Sequence, residues 1–167
     1  IGCSNPMPGK GSIGCNGLDD ELNCNGYNIT VAGQTAPGGG VTIRDHPVII
    51  KNSGNIILRY LRIRLGDENK GPENGDDGLT TEDNAGLFLD HISMSWTIDG
   101  MWDSRRCGNM SVQWCIFAEP LDDSLHEKGR HGYLMSFRNL SDDITLHHNL
   151  FSSGTNRHPT LASNEYE

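Results

Sequence analysis

The sequence predicts an all-β protein wound as a right-handed parallel β-helix of about five coils. A phrase recurs along it: a small or polar residue, then apolar, any, apolar, two polar or aromatic residues, and apolar again. It reads Asn28-Ile-Thr-Val, Asn55-Ile-Ile-Leu-Arg-Tyr-Leu, Gly86-Leu-Phe-Leu-Asp-His-Ile, Asn109-Met-Ser-Val-Gln-Trp-Cys-Ile and Asp143-Ile-Thr-Leu-His-His-Asn-Leu. The starts lie 27, 31, 23 and 34 residues apart, the spacing of a solenoid whose repeat is one coil. Within each phrase the apolar residues alternate, which is the period of a strand. Composition agrees. A hydrophobic fraction of 35% and a mean hydropathy of −0.51 are sufficient where each coil buries only a thin inward strip. The 21 glycines and 7 prolines suit a fold with many corners.

Taken in order, residues 1–27 lack periodicity and read as an irregular N-terminal cap, and 28–167 as the β-helix domain. Residues 28–66 carry dense strand signal at Ile29, Val31, Val41, Ile43, Val48 to Ile50 and Ile56 to Leu65. Between them, Thr35-Ala-Pro-Gly-Gly-Gly40 is a turn. It has no following Lys-Ser/Thr and no helix pattern, so it is not a phosphate loop. Residues 67–78 form an acidic polar loop, 79–119 hold two more coils, 120–132 are a polar insertion, and 133–154 are the last full coil. Pro159 to Glu167 follow with no amphipathic helix to cover the coil. That predicts a chain truncated at its C-terminal side or, failing that, a monomer able to associate end to end.

A net charge of −9 argues against a nucleic-acid partner, which needs a basic footprint. It admits an acidic substrate if a cation bridges the two. No apolar run reaches the ~18 residues of a membrane span, and the start has no basic region followed by an apolar core. Of five cysteines, Cys15 and Cys24 are placed to bridge in a secreted chain, and Cys115, among apolar residues, reads as a buried thiol.

Carboxylates from one corner of successive coils lie about one strand spacing apart, near ~4.8 Å, and can converge on a hard cation. Asp76 and Asp77, before a strand, and Asp99 and Asp103, after the next, are such candidates, although aspartate also favours solvated turns. Lys128, Arg130 and Arg157 are basic residues of the later coils. His126 and His131 have no third ligand at convincing zinc spacing. His147 and His148, adjacent in a strand, are expected on opposite faces. Asp90-His91 is expected to be a hydrogen-bonded structural pair. Tyr60, His91, Trp114 and His148 recur at one place in their coils and are expected to stack, and Asn28, Asn55 and Asn109 to ladder.

Several stretches together resemble the pectate lyases of the parallel β-helix superfamily. They are Val31 to Gly38, Asn55 to Arg64, Asp77 opening a coil, Leu89 to Asp99 (Leu-Asp-His-Ile-Ser-Met-Ser-Trp-Thr-Ile-Asp), Val112 to Ile116, Lys128-Gly-Arg-His-Gly-Tyr133, and Thr145 to Pro159. The resemblance implies a secreted or periplasmic, Ca²⁺-dependent enzyme that cleaves polygalacturonate by β-elimination to 4,5-unsaturated products. It implies Asp76, Asp77, Asp99 and Asp103 as calcium ligands. Arg157 and Lys128 become the catalytic residues, and Lys128, Arg130, His131 and His158 the contacts to substrate. An arginine expected shortly after Arg157 is absent, since the chain reads Arg157-His-Pro-Thr-Leu-Ala162. Two alternatives share the fold: a non-catalytic module binding acidic polysaccharide, and a glycoside hydrolase using two aspartates.

Overall fold

The computed structural model describes residues 22–24 and 26–162. The Cys15–Cys24 bridge and most of the segment 1–27 lie outside the described side chains. In chain order the strands are β1 (Leu22–Cys24), β2 (Tyr27–Ala32), β3 (Val41–Arg44), β4 (Val48–Lys51), β5 (Gly54–Arg59), β6 (Leu61–Arg64), β7 (Leu79–Glu82), β8 (Ala85–Asp90), β9 (Ser93–Ser95), β10 (Gly100–Arg105), β11 (Gly108–Gln113), β12 (Ile116–Ala118), β13 (Tyr133–Arg138), β14 (Ile144–His147), β15 (Leu150–Ser152) and β16 (Thr160–Ala162). A single 3₁₀ turn, Gly33–Thr35, interrupts them among the described residues.

Every third strand pairs, always in parallel. Sheet A is β1-β4-β7-β10-β13-β16, sheet B is β2-β5-β8-β11-β14 and sheet C is β3-β6-β9-β12-β15. Each coil therefore runs through B, C and A, which is the parallel β-helix read from the repeat. The recurring phrase is a sheet B strand, its corner, and the start of a sheet C strand.

The alternation decides which side chains face inward, and the register stacks them. In sheet B, Ile29, Ile56, Leu87, Met110 and Ile144 form one column and Val31, Leu58, Leu89, Val112 and Leu146 the next. In sheet C, Ile63, Met94, Phe117 and Phe151 align, and the two phenylalanine rings stack at 5.5 Å. In sheet A, Trp102 packs edge-on to Phe137 at 5.0 Å, and its indole N–H donates to Thr81 Oγ1 at 2.9 Å. That bond satisfies a buried donor which would otherwise destabilise the core. Cys107 and Cys115 are free and buried, and burial pushes the Cys115 thiol up to about 11.

Corners require residues that turn the chain sharply between strands. From sheet B to sheet C the turn begins at Tyr60, His91, Trp114 or His148, all with φ between 53 and 56°. Their side chains stack along the solenoid: Tyr60 on His91 at 4.4 Å, His91 to Trp114 at 6.3 Å, and Trp114 on His148 at 4.3 Å. The left-handed turn at His148 also alters the expectation for His147 and His148. Strand alternation stops at the corner, and the two Nδ1 atoms meet at 2.7 Å. Asn55 donates to Asn28 Oδ1 at 3.0 Å, as the amide ladder predicts, but Asn109 does not join the ladder and donates instead to Asp142 Oδ2 at 3.0 Å. Gly86 occupies the next rung, where a Cβ would come within 2.9 Å of Asn55 Oδ1.

Candidate functional site

After the short first one, 45–47, the corners from sheet C to sheet A vary widely in length: 65–78, 96–99, 119–132 and 153–159. Stacking of the coils brings these four loops to one edge of sheet A. Asp76 and Asp77 come from the first, Asp99 from the second, Lys128, Arg130 and His131 from the third, and Arg157 and His158 from the fourth. Backbone bonds tie the loops together across the coils. The N–H of Asp99 donates to Asp76 O at 3.2 Å, that of Tyr133 to Asp99 O at 3.0 Å, and that of Met135 to Arg157 O at 2.7 Å.

Asp77 is the centre of the acidic group. Its Oδ1 accepts a hydrogen bond from the Gly100 N–H at 2.9 Å. Burial first, and then the charges of Asp99 and Asp103, push its carboxyl well above the usual carboxylate range; Arg157 pulls it back. A carboxylate so crowded by like charges gains from a cation placed among them. Asp99 Oδ1 is buried and accepts no hydrogen bond, although His131 Nε2 approaches it out of line at 2.9 Å. A buried oxygen without a donor and a crowded carboxylate beside it fit a hard divalent cation, which takes oxygen ligands in loose geometry.

Two of the sequence candidates for that cation are already engaged. Asp103, 5% exposed, is held by Arg105 at 2.8 Å and by Arg138. Asp76 is paired with Lys70 at 2.8 Å. Asp77 and Asp99 are thus the carboxylates of this group without a lysine or arginine partner among the described residues, Asp99 being approached only by His126 and His131, and the charge of Asp103 adds to the field at Asp77. Arg138 and Lys70 were not singled out in the sequence. Arg138 is legible only from register, because it aligns with Arg105 across β10 and β13.

The basic side is equally specific. Arg157, half-buried and with φ 60°, sets its guanidinium 4.5 Å from the centre of the Tyr133 ring. Lys128 is exposed, and neither cation has a carboxylate partner among the described residues. Both bear electrostatically on His131, whose pKa is lowered first by burial. Arg130 points elsewhere, into an ion pair with Asp122. His158 is exposed and precedes Pro159 through a cis bond.

Asp99, His126 and His131 place one donor atom each within 4.8 Å of one another, a set whose composition suits a transition metal. Its geometry does not. The two imidazoles lie face to face, 3.8 Å apart and 7° from parallel, so one ion cannot lie in both ring planes. The Lys128 N–H also donates to His126 Nδ1 at 3.1 Å. That bond puts the neutral ring's proton on Nε2, the atom turned toward Asp99 at 3.6 Å. His126 therefore presents an N–H to Asp99 and no lone pair to a metal.

Over 134 residues, 80% of the chain, the sequence is 31% identical to the probable pectate lyase C of Emericella nidulans and 30% identical to that of Aspergillus flavus. Over 85 residues it is 28% identical to pectate lyase B of Paenibacillus amylolyticus. The chain spans 29% of the length of the two fungal relatives and 22% of the bacterial one. No family model matches it. The resemblance carried by the motifs is thus matched by relatives named pectate lyases along most of this chain.

Proposed function

We propose that this chain carries the catalytic corner of a Ca²⁺-dependent pectate lyase, which cleaves polygalacturonate by β-elimination to 4,5-unsaturated oligogalacturonides. One observation carries the reading. An unpaired Arg157 stands at the same corner as a crowded acidic pair, Asp77 and Asp99, in a chain related to pectate lyases.

Asp77 and Asp99 are the residues that would hold Ca²⁺. A cation bound there would supply Lewis-acid stabilisation of the negative charge that grows on a substrate carboxylate as the adjacent C5 proton is lost. Lys128, exposed and without a carboxylate partner, is free to take a second uronate carboxylate. Arg157 is oriented by Tyr133 and by the bond from Met135 N to its own carbonyl. On this reading Arg157 is the residue that acts where the C5 proton leaves. As that proton departs, its C–H electron pair forms the C4–C5 double bond, and the C4–O bond breaks with its electrons going to oxygen. A guanidinium in water keeps its proton far above neutral pH. Arg157 therefore acts as the base only when briefly deprotonated. Charged, it neutralises the developing negative charge while Lys128 or water accepts the proton.

The secreted location and the acidic polysaccharide partner follow from the same reading and from the relatives' names. Among the described residues no helix is long and apolar enough to cross a membrane. The decisive assay incubates the protein with polygalacturonate and follows absorbance near ~235 nm, the signature of a carboxylate-conjugated double bond formed by elimination. Ca²⁺-dependent growth that chelator stops supports the proposal. Binding without unsaturated product selects the non-catalytic module, and saturated reducing ends select a hydrolase.

A further inference from the structure

Most described lysine and arginine side chains sit against a carboxylate, as Arg59 does against Asp90 and Arg106 against Asp83. Lys128 and Arg157 do not, and they belong to the candidate site. Arg62 and Arg64 also do not, among the described residues, and they lie on the outer face of β6, in sheet C, rather than among the corner loops beside sheet A that carry the candidate site. Arg62 donates to Thr42 Oγ1 at 3.0 Å and to the Gly39 carbonyl. Arg64 donates to the carbonyl and the hydroxyl of Ser93, each at 2.7 Å. Every one of these acceptors is neutral. The two guanidinia, two residues apart on one strand face, repel: after burial, Arg62 is the next cause that lowers the Arg64 pKa. Glu119 offsets part of that repulsion at Arg64, yet in a chain of net charge −9 neither guanidinium forms an ion pair with a carboxylate among the described residues.

Exposed aromatic rings frame them. Tyr60 is 40% exposed, Trp96 47% and Trp114 52%. Trp96 lies against Arg64, whose guanidinium is 5.7 Å from the ring centre. On the other side a hollow of about 510 Å³ runs between the glycine-rich loop and the aromatic ladder, lined in part by Gly39, Tyr60, Arg62, His91 and Trp114. Planar guanidinium forks pair bidentately with carboxylates, and aromatic side chains provide large apolar contact with a polar rim. Their combination suits a polymer that alternates apolar sugar surface with single carboxylates. A nucleic acid, with its denser charge, calls for a wider basic footprint. The face is also continuous with the candidate site, since Trp96 opens the 96–99 corner that supplies Asp99.

We propose that the outer face of β6 is a second, cation-independent contact for a uronate polysaccharide. Arg62 and Arg64 take its carboxylates, and Tyr60, Trp96 and Trp114 its sugar surfaces. The proposal shares with the reading above only the acidic polymer, and it stands or falls separately from catalysis.

The test is equilibrium binding of the whole chain to polygalacturonate in EDTA at low salt, where no divalent ion can bridge polymer to Asp77 and Asp99. The unmodified protein is expected to bind, and Arg62→Gln with Arg64→Gln to weaken it at least about fivefold. Ca²⁺-dependent cleavage of short oligogalacturonides, which reach only the corner site, stays within about twofold. Arg62→Glu alone, at an exposed position, applies the same test if the double variant does not fold. Loss of all binding in EDTA, binding unchanged in the variants, or equal affinity for fully methyl-esterified, neutral pectin would each overturn the proposal. Absent lyase activity with EDTA-resistant, arginine-dependent binding would overturn the catalytic reading and leave this one standing.

Discussion

The Asp77 carboxylate rests against the backbone of the next coil, its Oδ1 bonded to the Gly100 N–H at 2.9 Å, in space that a side chain at position 100 would fill. A Cβ built on Gly100 would lie 2.8 Å from that oxygen. The clash is with the end of a flexible side chain, so the carboxylate gives way more readily than the strand does.

Gly100→Ala is therefore expected to cost little stability, about 1 kcal/mol or less, while weakening Ca²⁺ binding roughly tenfold, equivalent to ~1.4 kcal/mol. Calorimetric titration with Ca²⁺ beside a thermal melt separates the two effects. A variant that keeps its calcium affinity would remove Asp77 from the cation site.

Arg157 stacks on Tyr133 without an ion pair, so its replacement exposes no buried partner charge. Arg157→Ala is expected to lower kcat on polygalacturonate by about 10²-fold or more with a small change in melting temperature. Arg157→Lys separates its two roles. Activity that returns at alkaline pH identifies proton transfer, whereas activity recovered evenly across pH identifies charge stabilisation. An alanine variant as active as the parent would contradict both.

The stacked imidazoles predict an unusual indifference to zinc. Because His126 turns an N–H toward Asp99, His126→Gln is expected to change Zn²⁺ affinity by no more than about twofold, against the 10- to 100-fold typical when a zinc site loses even a supporting contact. Competition with a chromophoric zinc chelator measures it. A drop of tenfold or more would show that the rings separate to chelate the metal.

Asp90 links the coils away from the site. Burial pushes its carboxyl up, but hydrogen bonds from Gln113, His91 and Arg59 together outweigh burial and hold its pKa below the ordinary value. The folded state thus binds this proton less tightly than the unfolded chain does. Its stabilisation is present above the unfolded pKa, about 3.9, and is lost as pH falls through the lower folded value. Asp90→Asn is expected to cost about 1–3 kcal/mol at pH 7 and to flatten the acid limb of a urea-melt pH profile. Glu82, held low first by Lys51, and Asp83, held low by Arg106, retain their own share of that limb. An unchanged acid limb would mean that Asp90 is not the linked group.

How much was legible beforehand follows from the period of the fold. The recurring phrase from Asn28 to Leu150 specified strand, corner and strand, because inward side chains must alternate and stack at the same place in each coil. That is why the Tyr60, His91, Trp114 and His148 ladder and the columns through Leu58 and Leu89 were readable from spacing alone. The sequence by itself also marked Asp77 and Asp99 as acids just before strands, and the motifs that resemble pectate lyases singled out Lys128 and Arg157. Tertiary structure alone decided what each of them contacts. Long corner loops have no period, so only folding showed Asp103 engaged by Arg105 and Arg138, Asp76 by Lys70, and Arg130 by Asp122. It likewise showed His126 fixed by a backbone N–H, and Arg62 and Arg64 outside any ion pair among the described residues. Some of these pairs join residues 35 or 23 apart, as Asp103–Arg138 and Asp83–Arg106 do, and others, such as Lys70–Asp76 and Asp122–Arg130, form within loops that have no period, so the repeat encodes neither kind.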